Sequence, residues 1–327
     1  KNNEPKKIIN RSGDNLSLSA DGRYLAYYSE QNIWVYDRNT QTEKAVLKLL
    51  GKEIPELRWS KKLSYLAVAR KNSNDILIID AENQKQWSVA SPDEKEINQY
   101  EWQVTIEPEL VFSTTQKIFV ARPSTQKIIE MTDNKYLDWT VENGALWTLQ
   151  TNSTTKQIKI IKDTLGFATD ITTKISLSDN TNLENNSWSL QTAKGNTALI
   201  KKSGTNEMVL VNSDKYFTIN GEHSLVSNYN SWWLIWTPWE LISFSENNEP
   251  VLLNRSGEQL RQVWPLDEYN TLALIWSDKA TIFFPYYDVG HTLVDKQINS
   301  SAVEGNNKIF YYSTNQPKQS GIWQLEY

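Results

Sequence analysis

An all-β fold, an eight-bladed β-propeller of four-stranded antiparallel blades, is what this sequence predicts, with seven blades as the alternative count. Three observations predict it. Ile8-Ile9-Asn10-Arg11-Ser12-Gly13-Asp14 returns near the other end of the chain as Leu252-Leu253-Asn254-Arg255-Ser256-Gly257-Glu258, and internal repetition decides architecture before any motif is considered. The apolar residues are strand formers: 14 Trp, 15 Tyr and 8 Phe stand beside only 2 Met and no Cys. Finally, an aromatic-centred strand signature recurs roughly every 40 residues, the period of a propeller blade.

The first strands follow in order. They are Leu16-Ser17-Leu18-Ser19, Leu57-Arg58-Trp59-Ser60, Tyr100-Glu101-Trp102-Gln103 and Leu137-Asp138-Trp139-Thr140, then Ser187-Trp188-Ser189-Leu190, Ser224-Leu225-Val226-Ser227, Gln262-Val263-Trp264-Pro265 and Ser301-Ala302-Val303-Glu304. Each leads into a second apolar strand such as Tyr65-Leu66-Ala67-Val68-Ala69. A third follows a short polar loop, as in Ile33-Trp34-Val35-Tyr36-Asp37. Seven units carry a weaker fourth strand, such as Gln86-Trp87-Ser88-Val89. The eighth lacks one, while Lys6-Lys7-Ile8-Ile9-Asn10 is a fourth strand without a unit. The economical solution is a single domain over residues 1–327 in which 6–10 close the last blade, which removes both open sheet edges. Two β-sandwiches would also show many short strands, but not complementary missing strands at the two ends. The irregular stretch before unit five makes seven blades the alternative.

Trp59, Trp102, Trp139, Trp188 and Trp264 occupy one repeated position, taken by Leu18 in the first unit. Large flat rings at that position fill the wedge between twisted sheets, so packing explains them without a sugar ligand. Trp239 differs. It sits in the loop joining the second and third strands of unit six, on the rim shared with the loops between blades. There an exposed Trp would anchor a partner.

Composition narrows function. A net charge of -5 lacks the basic face of a nucleic-acid binder, and no run of about 18 apolar residues offers a membrane span. The absence of Cys removes disulfides, thiolate metal sites and cysteine nucleophiles. The start at Lys1, without Met or signal segment, raises the expectation of a targeting or anchoring segment ahead of it. His223 and His291 show no metal-ligand spacing. Neither a nucleophile elbow nor a phosphate loop is present, so no catalytic residue, metal or cofactor is expected. The acidic, Asn-rich stretch 178–186 reads as a solvated loop with at most weak cation affinity.

The first unit, Leu18-Ser19-Ala20-Asp21-Gly22-Arg23-Tyr24-Leu25-Ala26-Tyr27-Tyr28 followed by Asn32-Ile33-Trp34-Val35-Tyr36-Asp37, resembles the repeat of TolB-like, WD-repeat-like bacterial propellers, with Ala20 where Pro is usual. The other units keep the rhythm and lose the motif. More loosely, the chain resembles the C-terminal propellers of membrane-anchored extracytoplasmic proteins. That resemblance implies a non-catalytic interaction or scaffold role at the cell surface or in the periplasm, with a protein partner and no catalytic residues to carry over. A carbohydrate-binding or carbohydrate-cleaving propeller is the alternative. The candidate partner-binding residues are Trp239, Arg11, His223, Arg255 and Tyr100, grouped because rim loops emerge on one side. Local pairing with Asp14 and Glu258 is the expected bland role of Arg11 and Arg255.

Overall fold

The computed structural model describes all residues except 1–3, 52, 116, 133–135, 152–157, 165–166, 172–187, 213–214, 228, 230–231, 246–248 and 305–307. The 178–186 stretch therefore lies outside the described residues. Eight four-stranded antiparallel sheets follow one another, seven of them simple meanders of consecutive strands, and the chain is an eight-bladed β-propeller. The first strands run Asp14–Leu18, Glu56–Trp59, Gln99–Val104, Asp138–Glu142, Trp188–Lys194, His223–Val226, Leu260–Pro265 and Ser300–Glu304. Each overlaps one of the eight expected signatures, so the count is eight and not seven.

The last blade is completed from the other end of the chain. Ser300–Glu304, Ile309–Thr314 and Gly321–Glu326 are joined by Lys6–Ile9 as the fourth strand. Lys6 lies opposite Gln324, Lys7 opposite Trp323 and Ile9 opposite Ile322, with a bulge between Lys7 and Ile9. Gly321 permits the close approach: at φ +144° a Cβ would sit 2.6 Å from the Ile9 carbonyl oxygen. The adjoining first blade is tied to the last by Arg38, which donates to the Gly22 carbonyl at 2.6 Å and pairs with Glu304.

The chain divides into two compact units, Lys1–Thr132 with Trp264–Tyr327, and Asp133–Val263. Within each, the core is a series of wedges between consecutive sheets. One wedge joins Tyr24, Ile33 and Val35 of blade one to Trp59, Leu66 and Ile79 of blade two. Another joins Leu199, Met208 and Leu210 of blade five to Trp233, Ile235 and Phe244 of blade six. The repeated Trp has a defined job in these wedges. Trp59 Nε1 donates to the Ser17 carbonyl of the preceding first strand at 2.9 Å, and its ring stacks on Tyr24. Trp102 repeats the arrangement one blade on, donating to the Arg58 carbonyl at 2.9 Å and stacking on Tyr65. At Trp59 and Trp102 the ring fills the gap while the indole N–H ties neighbouring first strands together.

The turns are also repeated. Two-residue hairpins at Glu30-Gln31 and Asn143-Gly144 put both residues at positive φ, matching the right-handed twist of the strands they join. The four-residue turns between third and fourth strands close on Gln41, Gln84, Gln126 and Asp288 at φ 52 to 55°.

Candidate functional site

Blade six carries most of the candidate residues. Its second strand, Trp233–Trp236, is buried throughout, and the chain must then reverse within Thr237-Pro238-Trp239 to begin Glu240–Phe244. The Thr237 hydroxyl oxygen accepts the backbone N–H groups of Trp239 at 3.2 Å and Glu240 at 3.1 Å. Pro238 fixes its own φ. The Pro238 and Trp239 carbonyls accept the N–H groups of Leu260 at 2.7 Å and Ser256 at 2.9 Å. The turn is thus held from both sides, and the Trp239 ring projects from it 53% exposed.

Two other candidates lie at the same end of this sheet. Arg255 closes the fourth strand directly opposite Glu240, and its Nε and Nη2 reach one Glu240 oxygen at 2.9 and 2.7 Å. The Arg255 side chain is 70% exposed, so the pair contributes little stability, about 0–1 kcal/mol, but it fixes where the guanidinium sits. His223 opens the first strand opposite Trp236, is exposed, and has its ring 5.4 Å from the Trp236 ring. The end of one blade therefore gathers an exposed indole, an oriented guanidinium and an exposed imidazole.

Arg11 and Tyr100 belong to the other compact unit. Arg11 borders a cleft of about 740 Å³ with Ser12, Glu30 and Glu43. Its guanidinium lies 3.6 Å from the centre of the Trp34 ring and pairs with Glu30 at 3.4 Å and Glu43 at 3.2 Å. Tyr27 donates its hydroxyl to Glu43 as well. Burial first, and that carboxylate second, push the Tyr27 phenol far above its ordinary pKa. Tyr100 is only 4% exposed; Arg58 lies 4.9 Å over its ring and donates to its carbonyl at 2.9 Å. It presents no anchor surface.

The local pairs expected for the two arginines are replaced by others. Arg11 engages Glu30 and Glu43 rather than Asp14, and Arg255 engages Glu240 rather than Glu258. Strand register sets the outcome for Arg255, because it puts Glu240 directly opposite.

A second cleft, of about 410 Å³, lies where first strands converge, lined by Leu16, Arg58, Trp59, Glu101, Trp102 and Trp264 among others. One of its charged groups is already engaged, since Arg58 pairs with Glu56 at 2.5 Å. Among the described residues no three His, Cys, Asp or Glu side chains are grouped to hold a metal ion. Sequence reasoning passed over one exposed group, Tyr286 and Tyr287 in the last turn of blade seven, 90% and 72% exposed. Aligning the third-to-fourth-strand turns of the repeat would have singled them out.

No known family profile and no curated protein matches the sequence. Solved structures do match, at low identity. The chain is similar to a propeller of the mitotic checkpoint complex (11% identity, TM-score 0.55, covering 100% of this chain and 92% of that one). It is similar to a eukaryotic initiation factor (12%, 0.63, 96% and 85%). It is also similar to the Cps50 (Swd1) β-propeller domain of Myceliophteria thermophila (10%, 0.56, 99% and 99%). Likeness at this level shows the shared WD-repeat-like propeller fold and nothing finer.

Proposed function

We propose that this chain is a non-catalytic interaction propeller that binds a protein partner through the end of blade six. The carrying observation is Trp239, a large apolar ring left half exposed on a turn whose backbone is fully bonded. Exposed, well-supported aromatics beside an oriented Arg have the composition of binding hot spots. Propellers of the same fold include one solved within the mitotic checkpoint complex, which supports a scaffold role. The TolB-like resemblance of the first unit supports a bacterial, extracytoplasmic setting, with the domain held at a membrane by a segment outside this sequence.

A photo-crosslinking residue placed at position 239 tests the reading in cells. A discrete protein adduct is expected, lost on Arg255→Ala and absent from the same probe at exposed Gln126. Trp239→Ala should leave the melting transition unchanged. Glycan-array binding abolished by Trp239→Ala would replace this reading with a carbohydrate-binding one. Turnover abolished by a single carboxylate substitution would replace it with an enzyme, and cell fractionation tests the extracytoplasmic setting.

A further inference from the structure

We propose that the outer edge of blade seven is a strand-docking site, taking an extended Lys/Arg-flanked segment of a partner protein, with Tyr286 and Tyr287 as its anchor. The site lies on a different blade from Trp239 and is independent of it. Val289–Val294 is the fourth strand of its sheet, paired only with Ala280–Phe284. Val289, Gly290, His291 and Thr292 are exposed in succession, so both faces of the strand meet solvent. None of the fourth strands Thr42–Lys48, Lys85–Ala90, Tyr216–Asn220 or Val251–Arg255 has more than two such residues in a row.

Edge strands are commonly blunted by charge, Lys above all. Val289–Val294 carries no charged residue. Thr42–Lys48, Lys85–Ala90, Val251–Arg255 and Lys6–Ile9 each carry at least one Lys or Arg. Tyr216–Asn220 has none, but Lys215 lies 5.1 Å over its Phe217 ring.

Gly290 adds an independent argument. A glycine inside a strand marks a special conformation, tight packing, a bulge or the close approach of another backbone. Gly290 has no positive φ, and a Cβ added to it would meet only the Ile282 carbonyl oxygen, at an ordinary 3.8 Å. The register is regular at Gly290, where it faces Phe283; the irregularity lies at Ala280/Thr281. Of these, the close approach of a ligand or another backbone from outside fits the open space at Gly290.

The turn leading into this strand names the partner's chemistry. Its equivalents hold Asn39-Thr40, Glu82-Asn83 and Ser124-Thr125, with the same left-handed closing residue. Blade seven alone among these puts Tyr286-Tyr287 there, the rings 5.0 Å apart and edge to face. Tyr269, 78% exposed, stands in the other turn at that end of the sheet, since Leu272 pairs with Phe283. Exposed Asp288 and Asp295 bracket the strand, and Asp267 and Glu268 share the loop of Tyr269. Acidic flanks and aromatic faces both favour Lys and Arg, and an unpaired strand edge is satisfied best by another extended backbone.

Panning a displayed library of random twelve-residue peptides against the folded chain tests this. Enriched peptides are expected to be β-branched or aromatic in the middle, with Lys or Arg at the ends. A synthetic copy of the leading peptide should slow amide exchange selectively in 289–294. Its affinity should fall at least tenfold on Gly290→Lys and on Tyr286→Ala with Tyr287→Ala, and stay unchanged on Trp239→Ala. Because Gly290 has open space around it, both variants should melt as the parent does, and Gly290→Ala serves as a milder check if either does not. Failure to enrich any peptide, or peptides whose affinity ignores position 290, would overturn the proposal. Concentration-dependent protection of 289–294 without peptide, matched by dimers in sedimentation, would assign the edge to a second copy of this chain instead.

Discussion

At the scale of single residues, the structure turns Trp59 and Trp102 from volume fillers into directional ties. Trp102 supplies both a stacked ring and an N–H bond to the blade before it. Trp102→Phe keeps much of the ring and leaves the Arg58 carbonyl without that donor, which should destabilise by about 2 kcal/mol. Trp102→Ala also opens a cavity and should cost about 3–5 kcal/mol, so urea melts of the two variants separate bond from bulk. The turn residues make a second prediction. Gln126 sits at φ 55°, a conformation that disfavours every residue with a Cβ except Asn and Asp. Gln126→Gly should therefore be neutral or stabilising by up to about 1 kcal/mol, whereas Gln126→Val should be destabilising by more than that. Thermal melts of both variants check the sign.

At the scale of the blade, what holds consecutive sheets in sequence is partly ionic. Asp93, in the link from blade two to blade three, accepts from the Ser91 hydroxyl, from Thr114 Oγ1 at 2.8 Å and from the Lys95 N–H at 3.4 Å. Burial pushes its carboxyl up, but these bonds outweigh burial and hold it below the ordinary value. A carboxylate depressed in the folded state contributes stability above the unfolded value, about 3.9, and loses it as pH falls through the depressed folded value. Asp93→Asn should therefore melt lower at pH 7 and lose less than the parent between pH 5 and 2. This level of organisation was the most legible in the sequence. Strand order follows from apolar runs and turn chemistry, both local along the chain, and Asn143-Gly144 announced its own turn. The partners of Arg11 and Arg255 were not legible, because the acids they reach lie 19 and 32 positions from Arg11 and 15 from Arg255 and are brought near only by the fold. Nor was the left-handed closing residue of the third-to-fourth-strand turns, since Gln carries no glycine-like signal. Of the candidate site, the exposure of Trp239 is a property of the folded turn, whereas its place at one end of blade six with Arg255 and His223 followed from topology. The burial of Tyr100 did not, because it depends on Arg58 from the neighbouring blade.

For the whole molecule, the decisive element is the four-residue strand Lys6–Ile9. Deleting residues 1–10 leaves Gly321–Glu326 as an outer edge, with Trp323 no longer covered by Lys7, which lies 5.4 Å from its ring. An exposed aromatic edge recruits other chains. The deletion should broaden the melting transition and produce soluble oligomers in light scattering, and a monomer with unchanged melting would refute the closure as a stabilising device. The same strand imposes an order on biosynthesis. Lys6–Ile9 leaves the ribosome long before its pairing partner, Gly321–Glu326. At about 5–20 residues per second it waits roughly 15 to 60 seconds for that partner. Throughout that interval Lys6–Ile9 is a strand with two Lys at its head and no partner, so the nascent chain must be kept from pairing elsewhere until Gly321–Glu326 emerges.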